Sequence, residues 1–139
     1  MNPPKFEYFD VTADIGVRVW GKTINEVFEN AATAVTSLMA NPLEIEKKIV
    51  KKLSIDGNNL SSLLINWITE LLVIRDSEGI LFSSFEVKVS NDEKSLYAIN
   101  YGDYYTEKNL DMDIKAITYS LFNFEKRDGY YFLQFVLDI

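Results

Sequence analysis

Phe9-Asp10-Val11-Thr12-Ala13-Asp14-Ile15-Gly16-Val17-Arg18-Val19-Trp20-Gly21 is the stretch on which the reading of this chain turns. A polar knot, Asp10 to Asp14, runs straight into an alternating segment. Ile15, Val17 and Val19 point one way, Arg18 and Trp20 the other, with Gly16 between them. That alternation predicts a half-buried strand over 15–20. Asp10 and Asp14, four residues apart, stand at the mouth of the strand with the Thr12 hydroxyl between them. Two readings are open. Asp and Thr side chains bond their own backbone in turns, so the knot can be a strand-capping turn. The same oxygens can serve as a ligand or contact site if the fold brings further donors beside them.

Working outward, 139 residues suffice for one domain with one sizeable core, and 47% hydrophobic with 14% aromatic residues marks a globular chain. No apolar run is long enough to span a bilayer, and the start, Met1 to Lys5, does not have the make-up of a signal peptide. The expectation is a cytoplasmic protein without membrane contact. Cysteine and histidine are both absent. Ser-His-Asp and Cys-His catalysis, a histidine general base and His-ligated zinc are therefore excluded. A bound metal has to be held by oxygen, which favours calcium, magnesium or manganese. The net charge of −7 argues against stable nucleic-acid binding by the chain itself. The basic cluster Lys47, Lys48, Lys51 and Lys52 reads as a solvated strand face.

The elements follow in order. Residues 6–10 form a first strand and 15–20 a second. Thr23-Ile24-Asn25-Glu26 matches a capping box. The helix it opens places Ile24, Val27, Phe28, Ala31, Val35, Leu38 and Met39 on one stripe and stops at Asn41-Pro42. Residues 43–56 are charged and extended, an edge strand whose lysines block pairing. Asp56 to Asn59 supplies an N-cap for a helix over about 59–76, the more apolar of the two and the one expected to be most buried. Strands follow around Phe85 to Val89, Leu96 to Tyr101, Ile114 to Phe124 and Tyr130 to Leu137. Asp128-Gly129 is a hairpin turn. The order β-β-α-β-α-β-β-β-β does not alternate strictly, so a doubly wound parallel sheet is not expected. The predicted class is α+β: a two-layer sandwich of mostly antiparallel or mixed sheet with two main helices in a single domain, 1–139.

The last strand ends on Asp138-Ile139. If it lies beside the strand 15–20, its end meets Asp14. Asp14, the Asp138 side chain and the terminal oxygens of Ile139 then make a site for a hard cation, because charges that close repel without one.

Four stretches carry a resemblance. Thr12-Ala13-Asp14-Ile15-Gly16-Val17-Arg18 resembles the archease signature, and Glu70-Leu71-Leu72-Val73-Ile74-Arg75-Asp76, Lys115-Ala116-Ile117-Thr118-Tyr119 and Leu137-Asp138-Ile139 agree with it in order and spacing. The resemblance implies strand-helix-strand-strand modules, one inserted in the other. It implies a non-enzyme: an accessory protein of the RtcB-type tRNA-splicing RNA ligase that promotes guanylylation of the ligase and multiple turnover. It also implies divalent-metal ligands at Asp14, Asp138 and Ile139, with calcium the first expectation. Asp10, Thr12 and Glu70 are candidates for partner contact. A metal-dependent phosphohydrolase and a binding module with a purely structural calcium are the alternatives. Two histidines of the family pattern are Val11 and Ser120 here. Their joint loss suggests that the two positions are neighbours in the fold.

Overall fold

The computed structural model describes residues 3–139. Seven strands and two helices follow the expected order: β1 (Phe6–Val11), β2 (Asp14–Gly21), α1 (Ile24–Met39), β3 (Ile49–Asp56), α2 (Leu60–Glu78), β4 (Ile80–Val89), β5 (Ser95–Tyr104), β6 (Ala116–Arg127) and β7 (Tyr130–Asp138). The class is α+β. The strands divide between two sheets, ordered β1-β2-β7-β6 and β3-β5-β4. Every pairing in both is antiparallel. Among the described residues no helix is long and apolar enough to cross a membrane.

The helices start where their caps dictate. Thr23 Oγ1 accepts from the Glu26 N–H at 3.1 Å. Asn59 and Ser62 form a reciprocal capping box on α2, each side chain bonding the other's backbone. Both helices touch both sheets. One flank of α1 covers β1, β2 and β7, and the other runs along β4. α2 packs on β6 of the first sheet and on all three strands of the second. The more deeply buried helix is α1, contrary to expectation. Val27, Phe28, Ala31, Ala32 and Ala34 are wholly inaccessible, and even Asn30 and Thr36 are buried. The alanines explain this: a helix with small side chains fits into a narrow space between larger layers.

Burying α1 on several sides strands polar groups, and the structure pairs them. Asn30 Nδ2 donates to the Trp20 carbonyl at 2.8 Å, and the Tyr8 hydroxyl to the Ala34 carbonyl at 2.6 Å. Burial pushes the Tyr8 phenol up to about 12. On the opposite flank, Glu29 Oε2 and Asn25 Oδ1 accept from the Val87 and Val89 N–H groups at 2.9 and 2.8 Å. Those two amides lie on β4, an edge of the three-stranded sheet. The helix thus occupies donors that would otherwise be a template for another strand. The second edge, β3, alternates half-buried and exposed residues, with Lys52 exposed and Lys51 paired to Glu78.

At the start of the four-stranded sheet, Phe9 pairs directly with Gly16. The Phe9 ring lies over the glycine, where an added Cβ would stand 2.2 Å from its nearest ring atom. The Arg18 guanidinium then stacks on the ring at 4.1 Å, and its Nε donates to Gln134 Oε1 at 3.1 Å. Gly16 is therefore the slot in which an aromatic lid sits across β1, β2 and β7.

Two predictions follow from this packing. Gly16→Ala displaces the Phe9 ring and loses the cation–π contact, costing about 1 kcal/mol. In a Phe9→Ala background the same change is nearly neutral, so a double-mutant cycle in urea returns most of the cost as coupling. The second concerns Glu29, whose carboxyl burial holds above its ordinary value, more strongly than the Val87 bond lowers it. The folded state binds that proton more tightly than the unfolded chain does. Its contribution to stability is full below the unfolded carboxyl range and is lost as pH rises through the raised folded value. Glu29→Gln keeps an acceptor for Val87 and removes the buried charge. At pH 7 it unfolds at a higher urea concentration than the wild type by roughly 0.5 kcal/mol or less, given the screening at this partly exposed group. The difference disappears in acid.

Candidate functional site

The site is built by one register. β2 and β7 run antiparallel with Val17 against Phe135, Val19 against Leu133 and Ile15 against Leu137. Val17, Val19, Leu133, Phe135 and Leu137 are all fully buried. A slip of one residue would turn that set out to water, so the register is tightly specified. It carries Asp14 to a position directly opposite Asp138. Antiparallel partners have Cα atoms about 4.5–5.5 Å apart, so the two carboxylates share one patch on the outer face of the sheet. Asp14 is half-buried and Asp138 exposed.

Both neighbours of this pair are fixed. Val11 pairs with Asp14 on one side and Ala116 with Asp138 on the other. The Lys115 N–H donates to the Asp138 carbonyl at 2.8 Å, closing the entrance to β6. Thr12 and Ala13 form the two-residue connection from β1 to β2, both exposed, with Ala13 in the left-handed region at φ 63°. That tight turn aims Asp14 into the sheet.

Asp14 and Asp138 are therefore together, and Ile139 follows Asp138, half-buried against the core. The other candidates are elsewhere. Asp10 is exposed and pairs with Ile15, one step off the carboxylate row. Glu70 sits half-buried on α2. Among the described residues no three Asp, Glu, His or Cys side chains gather to hold a metal ion. Two carboxylates in register supply hard oxygen donors for calcium, magnesium or manganese, and further oxygens have to come from Ile139 or water.

The expected proximity of Val11 and Ser120 is corrected by the topology. Val11 lies on β1 and Ser120 on β6, opposite edges of the sheet with β2 and β7 between them. Three strand spacings separate them, roughly 14 Å. The joint loss of the two histidines therefore has no contact to explain it.

Two features of this region were not singled out from the sequence. Phe9 and Arg18 cover Gly16 beside the carboxylate pair; an aromatic directly across from a strand glycine becomes visible only when the register is known. Arg75, in the helix stretch, is 5% exposed. Its Nε meets Asp76 at 2.9 Å and its Nη2 meets Asp113 at 3.5 Å, tying α2 to the segment that leads into β6. A buried arginine with two carboxylate partners holds architecture in place. Trp20 packs on Phe132, and the Tyr105 hydroxyl donates to the Arg75 carbonyl at 3.2 Å. Tyr104 remains 70% exposed.

Residues 6–139 match the model of the archease protein family (MTH1598/TM1083). The archease of Sulfurisphaera tokodaii is 41% identical over 137 residues, covering 97% of this chain and 99% of that protein. The archease of Pyrococcus abyssi is 40% identical over 140 residues, with the same coverage. The solution structure of Methanobacterium thermoautotrophicum protein 1598 superposes with a TM-score of 0.83 at 36% identity, over 97% of this chain and 99% of that one. A crystal structure from Thermotoga maritima, described as an archease and possible chaperone, superposes with a TM-score of 0.66 over 100% and 98% of the two chains. At 18% identity it is a likeness of fold alone. Through the matched family model and relatives similar along nearly their whole length, the chain belongs to the archease family.

Proposed function

We propose that this protein is an accessory factor that activates the RtcB-type tRNA-splicing RNA ligase, promoting its guanylylation and its return for further turnovers. The observation that carries the reading is the direct pairing of Asp14 with Asp138 in a chain of the archease family. Archeases resemble one another as accessory proteins of that ligase, and these two carboxylates lie in the stretches by which the resemblance is recognised.

Guanylylation needs a nucleotide, a nucleophile and cations held in line, so its barrier is set largely by positioning and charge. An accessory protein helps by binding the reactive conformation of the ligase more tightly than the unreactive one. A divalent cation held by Asp14, Asp138 and the oxygens of Ile139 would supply positive charge next to phosphate oxygens. The residues of this chain contribute placement. The β2–β7 register fixes the two carboxylates, the Thr12-Ala13 turn fixes their approach, and the stacked Phe9 and Arg18 cover Gly16 beside them. The chain's net charge of −7 also favours rapid encounter with the cationic channel an RNA ligase requires.

Asp14→Asn removes one of two like charges placed opposite each other, a contact that costs about 0.2–1 kcal/mol in a sheet. In chelator the variant melts at or above the wild-type temperature. Added calcium raises the wild-type midpoint, because a ligand that binds only the folded state stabilises it, and leaves the variant's unchanged. A wild-type midpoint indifferent to calcium, magnesium and manganese would end the metal assignment. In a splicing-ligase assay with GTP and sub-stoichiometric protein, wild type restores many turnovers and Asp14→Asn does not. A ligase from the same source that ignores the wild-type protein would end the activator reading.

A further inference from the structure

We propose that the Asp128-Gly129 turn is a site of spontaneous isoaspartate formation, and that the fold protects the other Asp-Gly pair of the chain, Asp56-Gly57, from the same reaction. In such a pair the amide nitrogen of the glycine attacks the side-chain Cγ of the aspartate. A C–N bond forms, a C–O bond of the neutral carboxyl breaks, and the hydroxyl leaves with the amide proton as water. The product is a succinimide ring. Water then adds to one of the two ring carbonyls. Opening at one C–N bond restores aspartate, and opening at the other routes the main chain through the side chain as isoaspartate. Nothing is oxidised or reduced, and the water lost in the first step is regained in the second. Glycine favours the attack because it has no Cβ in the way and its backbone turns freely.

The sequence makes the two pairs alike, and the structure makes them different. At the tip of the β6–β7 hairpin, Arg127 pairs with Tyr130, so Asp128 and Gly129 are the whole loop. Both are exposed. Gly129 has φ 75°, and a Cβ built on it would meet nothing within 4 Å. Among the described residues its N–H donates to no backbone carbonyl outside the strands. The nearby cations are turned to other partners. Arg127 Nε donates to Glu125 at 2.8 Å while its guanidinium stacks on Phe132 at 4.1 Å, and the Lys126 amine stands 5.8 Å from the Tyr131 ring. Nucleophile and carboxyl are both open to each other and to water.

Asp56-Gly57 is held on every side. The Gly57 N–H donates to the Lys94 carbonyl at 2.8 Å. The Asp56 carbonyl accepts from Asn66 Nδ2 at 2.8 Å. Gly57 lies so close to the first turn of α2 that an added Cβ would stand 2.6 Å from the Leu63 nitrogen. Ring closure there has to break the amide bond to Lys94 and lift the chain off the helix, which is a local unfolding step. A turn-tip isoaspartate needs no such opening. It adds one main-chain carbon at the end of β7 far from Asp138, roughly 25 Å along the strand, so it builds up in protein whose carboxylate pair is intact.

The test ages the folded protein in neutral buffer, well below its melting midpoint, beside a sample held in urea. Isoaspartate is read by peptide mapping and by methyl transfer from S-adenosylmethionine with an isoaspartyl methyltransferase. In the folded protein, position 128 gains at least about tenfold more isoaspartate than position 56, a barrier difference of about 1.4 kcal/mol. In urea the two positions convert at similar rates. Asp128→Glu, which would have to close a larger ring, removes the folded-state signal and leaves the circular dichroism unchanged. Asp128→Asn cyclises with loss of ammonia in place of water, and the folded variant sheds its amide. Equal conversion at 56 and 128 in the folded protein, or none at 128, would overturn the proposal. A difference that persists in urea would also overturn it, by assigning the contrast to flanking residues. So would an Asp128→Asn variant that loses its amide in urea and keeps it when folded, since the turn would then hold nitrogen and Cγ apart.

Discussion

The pairing of β2 with β7 joins residue 14 to residue 138, and the site depends on it. The pairing holds two carboxylates together against their own repulsion. The repulsion is worth about 0.2–1 kcal/mol. Against it stand Val17, Val19, Leu133, Phe135 and Leu137, all fully buried by the same register. Each such side chain contributes about 1.5–3 kcal/mol when taken from water. The core decides the contest by a wide margin. The acidic pair is thus a consequence of hydrophobic register, and it persists whether or not a cation is present.

That dependence explains why so much of the site was legible in the sequence. The alternation from Ile15 to Val19 sets the face of β2. The strand from Tyr130 to Leu137 is equally clear, and Asp138 follows it. Placing the two strands side by side is the only further step needed to bring the aspartates together. The Thr23 and Asn59 caps and the turn at Gly129, with φ 75°, were legible for local reasons, since each is settled within four or five residues. The division into two sheets was not legible, because strand pairing between distant segments leaves no mark on either segment alone. Nor was the depth of α1. Ala31, Ala32 and Ala34 carry little hydrophobic signal, yet their small size is what lets the helix touch both sheets. The stripe of larger residues on α2 gives the louder signal and the shallower burial, with Val73 47% exposed.

Three of the four sheet edges show different solutions to one problem. β3 carries lysines. β4 has its free amides at Val87 and Val89 taken by Glu29 and Asn25 of α1. β6 breaks its ladder with a bulge. The first two hide or charge the edge, which is what a chain that avoids aggregation needs. The third leaves Tyr119 and Leu121 more than half exposed.

The absence of histidine bears on how such a surface works. No side chain here has an ordinary pKa near neutrality, so the chain has no residue suited by default to shuttle protons between pH 6 and 8. What it offers is charge at fixed positions and apolar shape. Those are the properties of a factor that selects a conformation of its partner, because selection requires only that one state fit better than another. A tenfold preference corresponds to about 1.4 kcal/mol, within reach of one well-packed apolar contact combined with one favourable electrostatic one. On the activator reading proposed above, a small chain needs no chemistry of its own to shift a larger enzyme. Rigidity matters for the same reason, since a surface that had to order on binding would lose part of that preference to entropy. Beside the acidic pair the Arg18 guanidinium stacks on Phe9, and its Nε donates to Gln134, tying β1, β2 and β7 together on the outer face.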